Sequence, residues 1–286
     1  MPHSFENYDD KASTYTSLRL PIAPDRTVQF LTNSSATKFP SDYHLLDSGC
    51  GTGNYAVHFI RHNNIKSIHL SDFNDSMLNE ARKNLKTLGA GDVTLDYHQA
   101  DICSLDSSIF HDASYDGVIN NQVLHHLRPD NDFADLKNAC KEWYRVLKPG
   151  GRIAINFAPP AQQSRSMWWA ELIPKAMGIW SQRSPSASNV QQALAEAGFR
   201  EIQMHPILNE ILYDSVAYYD FDKFENDIKS YARQDSTFNL CTEEEFREAA
   251  QRVKDMREKG KLENWRQQKE EERKKIGQTT CCFAVK

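Results

Sequence analysis

Leu45-Leu46-Asp47-Ser48-Gly49-Cys50-Gly51-Thr52-Gly53 is a short apolar run that ends on an acid, passes through three alternating glycines and leads into Tyr55–His62. The apolar residues of Tyr55–His62 recur at helical spacing, so the stretch predicts a strand, a glycine turn and a helix in that order. Glycines let the backbone turn sharply and approach a ligand closely, and a helix start beyond them presents free N–H groups. A pyrophosphate-binding loop spaces its glycines as G-x-G-x-x-G. Here the spacing is G-x-G-x-G, and Asp47 would repel a pyrophosphate but suits an ammonium group. Taken alone, such a loop is equally a structural turn.

Working outward, short apolar runs alternate with longer helical patterns, which predicts a parallel sheet with crossover helices. The expected strands are Tyr43–Asp47, Ser67–Asp72, Thr94–Gln99, Tyr115–Asn120 and Arg152–Phe157. Helices are expected over Ser76–Leu88, with Asn74 or Asp75 as cap, and over Phe133–Val146, closed by Lys148-Pro149-Gly150-Gly151. The result is a doubly wound α/β fold. Beyond it, 159–188 is rich in proline and tryptophan and reads as a lid or pocket wall. A helix Asn189–Ala197 then leads to a strand near Arg200–Pro206. A long helical stretch follows, with Thr242 and Glu245 as a capping box, and the interleaved charges of Lys254–Lys275 predict a solvated helix. The β-prone end, Thr279–Val285, returns to the sheet as its last strand. That makes seven strands and one domain, with 208–275 inserted as a helical cap before the last of them.

Acids recur where open α/β sheets bind ligands, at the carboxyl ends of successive strands. Asp72 ends the second strand, about 20 residues past the loop, at the place for an acid that accepts from ribose hydroxyls. Asp101 follows the third, suited to an exocyclic amine, with Ile102 placed to cover a ring face. Asn120-Asn121 ends the fourth.

Leu45–Ala56, Ser71–Leu78, Ala100-Asp101-Ile102, Tyr115–Leu127 and Val146–Gly151 together resemble the class I S-adenosylmethionine (SAM)-dependent methyltransferases, in that family's order and over roughly the middle half of the chain. The resemblance is closest to the subgroup acting on small molecules. It implies a Rossmann-like fold of seven mostly parallel strands and SAM contacts at Asp47, Gly49, Gly51, Asp72, Met77, Asp101, Ile102 and Asn121, with Met77 near the adenine. It also implies that residues 1–40 cover the cofactor, that 41–158 form the SAM-binding core, that 159–188 and 208–275 form the acceptor-site lid, and that 276–286 hold the final strand. Phe5–Tyr15 looks like the family's cofactor-covering helix. By that likeness Tyr8 closes on the cofactor and Tyr15 on the acceptor; ordinary packing of the two tyrosines is the alternative. The chain lacks the N-P-P-Y or D-P-P-Y sequence of methyltransferases acting on nucleobase or glutamine nitrogens.

The expected activity is methyl transfer to oxygen or nitrogen of a small metabolite, releasing S-adenosylhomocysteine. His125 and His126, just past the fourth strand, are the candidates for a general base where the acceptor must lose a proton; a structural role is the alternative. Trp168, Trp169, Trp180 and Tyr213 are candidate acceptor contacts by stacking or cation–π attraction, or else the lid's own core. Arg165, Arg183 and Arg233 are candidates for anchoring an acceptor carboxylate. A SAM-binding regulatory or scaffold protein without turnover and a methyltransferase acting on protein or RNA are the competing functions.

Composition narrows these choices. With 34 basic against 39 acidic side chains the formal charge is −5, which does not favour a nucleic-acid partner. No apolar run approaches the roughly 20 residues of a membrane span, and the first residues lack a signal-peptide pattern, so a cytoplasmic protein is expected. The six cysteines fall at no metal-type spacing, so neither zinc nor a disulfide is expected.

Overall fold

A computed structural model describes residues 19–89 and 92–286. Helix α1 (Pro24–Leu31) precedes β1 (His44–Ser48), α2 (Asn54–Asn63), β2 (Ser67–Asp72), α3 (Asp75–Thr87), β3 (Thr94–Gln99) and β4 (Tyr115–Asn121). A 3-10 turn at Leu124–His126 leads to α4 (Asp130–Val146), β5 (Leu147–Phe157), α5 (Pro160–Ser166), α6 (Pro174–Arg183), α7 (Ala187–Ala197) and β6 (Arg200–Ile207). Three short helices, α8 (Ser215–Tyr218), α9 (Phe221–Asn226) and α10 (Ile228–Tyr231), precede α11 (Glu243–Glu258), α12 (Leu262–Ile276) and β7 (Thr279–Val285).

The seven strands form one sheet in the order β3-β2-β1-β4-β5-β7-β6. β1 through β5 are parallel, and β7 runs antiparallel between β5 and β6. Parallel strands covered by helices on both faces need apolar side chains on both, and Leu45, Leu46, Ile68, Leu70, Val118 and Ile119 are all buried. The chain winds from β1 outward to β3, then crosses to β4, so the carboxyl ends of β1 and β4 flank the point where the winding reverses. In such sheets that crevice is where ligands bind.

Local chemistry sets the element ends. Asn74, not Asp75, caps α3, its side chain accepting from the Met77 amide at 3.1 Å. Within α4, Asn131, Asp132 and Phe133 carry left-handed backbone angles, so its regular turns start beyond Phe133. Lys148–Gly151 does not close that helix as a free turn. It lies within β5, because the chain end pairs beside it: the Lys286 amide donates to the Gly151 carbonyl at 2.9 Å.

The segment 208–275 also departs from expectation. It is not one long helical stretch: Asp214, Asp220, Asp227 and Asp235 each accept from backbone amides one turn on, opening successive short turns. Asp at a helix start stabilises that start and so breaks a continuous helix into pieces. Farther on, Gly260 adopts φ +64° and divides the charged region into α11 and α12.

Candidate functional site

The glycine loop hangs from β2 by two main-chain bonds, from the Gly49 and Cys50 amides to the Ser71 carbonyl at 2.7 and 2.9 Å. Asp72 closes it from the side: Oδ2 accepts from the Gly51 amide at 2.8 Å and Oδ1 from the Asn74 amide at 2.9 Å. Each carboxylate oxygen keeps a second lone pair, so Asp72 can fix the loop and still accept from a ligand. The end of β4 locks onto the same loop, with Asn120 Nδ2 donating to the Ser48 carbonyl at 2.6 Å. Trp143 supports it from beneath, its indole N–H donating to Ser48 Oγ at 2.9 Å.

Around this loop lies an excess of buried polarity. Asp47 Oδ2, Thr52 Oγ1, Asn120 Oδ1 and Asn121 Nδ2 are buried and have no hydrogen-bond partner among the described residues. A buried polar group left unpaired costs about 1–3 kcal/mol, so four of them around one turn match the contacts of a polar ligand. Burial, and then the charge of Asp72, raises the Asp47 carboxyl to about 8. Asp72 itself is raised by burial, and its backbone amide bonds oppose the shift. Gly51 faces space with no heavy atom within 4 Å of where a side chain would begin.

The site residues expected from the sequence meet here. Asp47, Gly49 and Gly51 lie at the end of β1, Asp72 at the end of β2, and Asn121 at the end of β4. Asp101 follows β3, its Oδ1 accepting from the Cys103 amide at 2.9 Å, and Ile102 beside it is buried. Met77 is buried in the first turn of α3. Tyr8 and Tyr15 lie outside the described residues.

Past Asn121 the chain turns through Gln122, a non-glycine residue at φ +56°. Its amide donates to the Asn156 carbonyl at 2.8 Å and its side chain to Asn156 Oδ1 at 2.6 Å. That clamp aims the 3-10 turn, and the His125 and His126 rings sit 4.0 Å apart. Burial, followed by the charges of His126, Arg19 and Arg183, holds His125 well below the ordinary imidazole range. A neutral imidazole can accept a proton.

The aromatic candidates divide. The Trp180 ring lies 6.2 Å from that of His125, and the Tyr213 ring lies under the Arg19 guanidinium at 4.3 Å. Trp168 and Trp169 lie within the cap. Trp168 donates its indole N–H to the Tyr218 carbonyl at 2.8 Å and packs among Phe221, Phe224, Tyr231 and Trp265. Trp169 packs on Phe238 at 4.8 Å.

Arg19 and Asp235 had no signal in the sequence. Arg19 Nη2 pairs with Asp235 Oδ2 at 3.2 Å, and the Tyr213 hydroxyl donates to the same oxygen. The Arg19 carbonyl also accepts from Asn54 Nδ2 at 3.2 Å, at the start of α2. One residue therefore ties the glycine loop's helix to the cap. The contact spans 216 residues, which no local pattern reveals. Thr52 was legible as part of the loop itself.

Comparison with known proteins agrees with this geometry. Residues 46–155 match the model of a methyltransferase domain family. The chain is 31% identical over 188 residues to the ubiquinone/menaquinone biosynthesis C-methyltransferase UbiE of Haemophilus ducreyi, covering 61% of this chain and 66% of that relative. The chain thus spans just under two thirds of the length of this curated relative. Among solved structures, a putative methyltransferase from an antibiotic biosynthesis pathway of Anabaena variabilis superposes with TM-score 0.71 at 15% identity, covering 94% of this chain and 99% of the other. A phosphoethanolamine N-methyltransferase 2 of Haemonchus contortus, in complex with S-adenosyl-L-methionine, superposes with TM-score 0.58 at 16% identity, covering 97% of this chain and 57% of that one. Glycine loop, acid-tipped strands and sheet order converge with the family match, and residues 46–155 are a methyltransferase domain of the class I, S-adenosylmethionine-dependent type.

Proposed function

We propose that the protein methylates a small-molecule acceptor enclosed between the 3-10 turn at Leu124–His126 and the helical cap. The cluster of unpaired buried polar atoms around Gly49–Gly53 carries the cofactor half of this reading. In it, Asp47 and Thr52 take the amino-acid end of SAM, Asp72 the ribose hydroxyls and Asp101 the adenine amine. Ile102 and Met77 flank the adenine, and Asn121 Nδ2 donates toward the sulfonium side. Tyr8 is assigned to the cofactor and Tyr15 to the acceptor.

Bound SAM supplies an already activated methyl group, so the protein's task is alignment and water exclusion. The acceptor's nucleophilic atom displaces the sulfur in line, forming its bond to the methyl carbon as the carbon–sulfur bond breaks, and S-adenosylhomocysteine leaves. Where the acceptor carries a proton at that atom, His125 and His126, just past β4, are the groups assigned to take it; burial and neighbouring positive charge make His125 a weak base, suited to a proton that the transfer itself has acidified. Oxygen or nitrogen is the acceptor atom expected from the sequence, and the likeness to a C-methyltransferase adds an activated carbon. Trp180 and Tyr213 are assigned to the acceptor side.

Calorimetric titration with SAM, S-adenosylhomocysteine and NADH tests the reading. Binding of the first two and not the third is expected, with Asp72→Ala weakening both by at least about tenfold. Binding of NADH alone would overturn it.

A further inference from the structure

The turn that joins the cofactor side of the site to the acceptor side runs against backbone preference. Asn121 closes β4, and Gln122 follows it at φ +56°. Left-handed angles are uncommon outside glycine, asparagine and aspartate, whose side chains are absent or short. Such strain persists only where the surroundings over-determine it.

Asn156 supplies that constraint. It lies on β5, opposite Asn121 of β4 and opposite Cys281 of β7. Its carbonyl accepts from the Gln122 amide at 2.8 Å and its Oδ1 from Gln122 Nε2 at 2.6 Å. Its Nδ2 donates to Thr279 Oγ1 and to Cys281 Sγ, each at 3.2 Å. Asn156, Thr279 and Cys281 are buried. With Nδ2 held by β7, the amide is kept from turning over and Oδ1 stays facing Gln122. Around Gly49–Gly53 buried polar atoms are left open to a ligand, whereas here the side chains of Asn156 and Thr279 are satisfied by one another and by Gln122. A closed network of this kind fixes shape.

The path of the turn matters on both sides. Val123, next in the chain, fills the space beside Gly49, where an added methyl would lie 2.4 Å from Val123 Cγ2. Leu124 is buried in the core and opens the 3-10 turn, within which the His126 amide donates to the Val123 carbonyl at 2.9 Å. Between the end of β4 and Leu124 only Gln122 and Val123 remain to set the direction, and His125 follows directly.

We infer that Gln122 and Asn156 are positioning residues: their side-chain bond, anchored on β7 through Thr279 and Cys281, sets His125 on the acceptor side of the site while Val123 stays against the cofactor loop. This rests on the methyltransferase reading above. Neither residue is assigned a contact with the methyl group, and both act through the turn that carries the histidine.

The test reads that histidine. The full chain, labelled with carbon-13 at histidine Cε1, is studied by NMR with and without S-adenosylhomocysteine, and the His125 signal is assigned by its loss in His125→Gln. The unaltered protein should give one narrow His125 signal. Gln122→Met, which keeps the side chain's length and loses its bond, should split, broaden or displace it. Gln122→Gly also removes the strain, so it should melt about 2–4 °C above Gln122→Met and still show a disturbed signal. Asn156→Asp keeps an acceptor for Gln122 and a polar partner for Thr279, and should retain one narrow signal. S-adenosylhomocysteine affinity should stay within about threefold in all three variants, because Asn121 keeps its pairing with β5. A His125 signal unmoved in both Gln122 variants would reduce the pair to a structural brace and overturn the inference. An Asn156→Asp signal as disturbed as that of Gln122→Met would do the same. If Gln122→Met does not fold, the strain-free Gln122→Gly decides. Failure of the unaltered protein to bind S-adenosylhomocysteine would instead sink the underlying methyltransferase reading, and the ligand-free spectra would still judge the clamp.

Discussion

Gly49 and Gly51 share a left-handed backbone for different reasons. At Gly49, with φ +82°, an added methyl would lie 2.4 Å from Val123 Cγ2, and a β-branched neighbour has little freedom to retreat. At Gly51, with φ +53°, nothing stands in the way, so only the backbone preference resists substitution, at about 1–2 kcal/mol. Gly51→Ala should therefore stay folded yet lose SAM affinity by at least about tenfold, since the methyl enters the cofactor's approach. Gly49→Ala should lower the melting temperature further. Melting curves and titration of both variants check this, and a Gly51→Ala protein that binds SAM normally would show that the open space is not the cofactor's. Asp47 adds a pH signature. Its carboxyl, raised to about 8, holds a proton in the ligand-free fold that the unfolded chain releases near its ordinary value of about 3.9. Stability of the ligand-free protein from this group is thus greatest at low pH and falls as pH rises through that window. An ammonium ligand favours the ionised carboxyl and expels the proton, so SAM affinity should rise between about pH 6 and about pH 7.5, where the ligand's amine stays protonated. Titrations in buffers of different ionisation enthalpy should show net proton release, and Asp47→Asn should flatten the dependence.

At the scale of elements, helix α6 depends on a cap supplied from far away in the chain. Glu245 is buried, and its Oε1 accepts from the Lys175 amide at 2.7 Å and the Ala176 amide at 3.3 Å, at the helix's first turn. Those amides have no partner within the helix, and a carboxylate there also complements the helix dipole. Glu245→Ala should cost about 2–3 kcal/mol and, because α6 carries Trp180 and Arg183, reduce turnover more than SAM affinity. Equal losses in both would mean that α6 does not serve the acceptor. The Thr242–Glu245 pair also marks how far local pattern reaches. Thr242 does accept from the Glu245 amide at 3.1 Å, as a capping box requires, yet the Glu245 carboxylate turns to another helix instead of completing the box. Strands β2 and β3 and a cap at Asn74 or Asp75 were legible because period and capping chemistry act within a few residues, and the structure decides for Asn74. The Arg19–Asp235 pair and the Glu245 cap were not, since tertiary packing alone brings their partners together.

Over the whole molecule, the cap is an insertion held at both ends by the sheet, leaving after β6 and returning into β7. Buried amides stitch the return. Gln162 Nε2 donates to the Thr279 carbonyl at 3.0 Å, and Gln278 Oε1 accepts from the Leu212 amide at 2.8 Å. Within the cap, Trp168 joins the segment after β5 to the one after β6 through the Tyr218 carbonyl and the rings around it. The cofactor loop makes its own bonds to β2 and β4 and none to Trp168. Truncating Trp168 therefore removes packing from one unit and leaves the other's contacts in place. Trp168→Ala should destabilise the protein by about 3–5 kcal/mol, and below its lowered melting point it should bind SAM with near-normal affinity. Turnover should fall, because loosening the cap moves Tyr213, which stacks on Tyr218 at 5.1 Å, and with it the Arg19–Asp235 pair. Melting curves, SAM titration and, once an acceptor is in hand, steady-state rates separate the possibilities. A stable Trp168→Ala protein with unchanged acceptor binding would mean the cap's core is not what holds the acceptor wall in place.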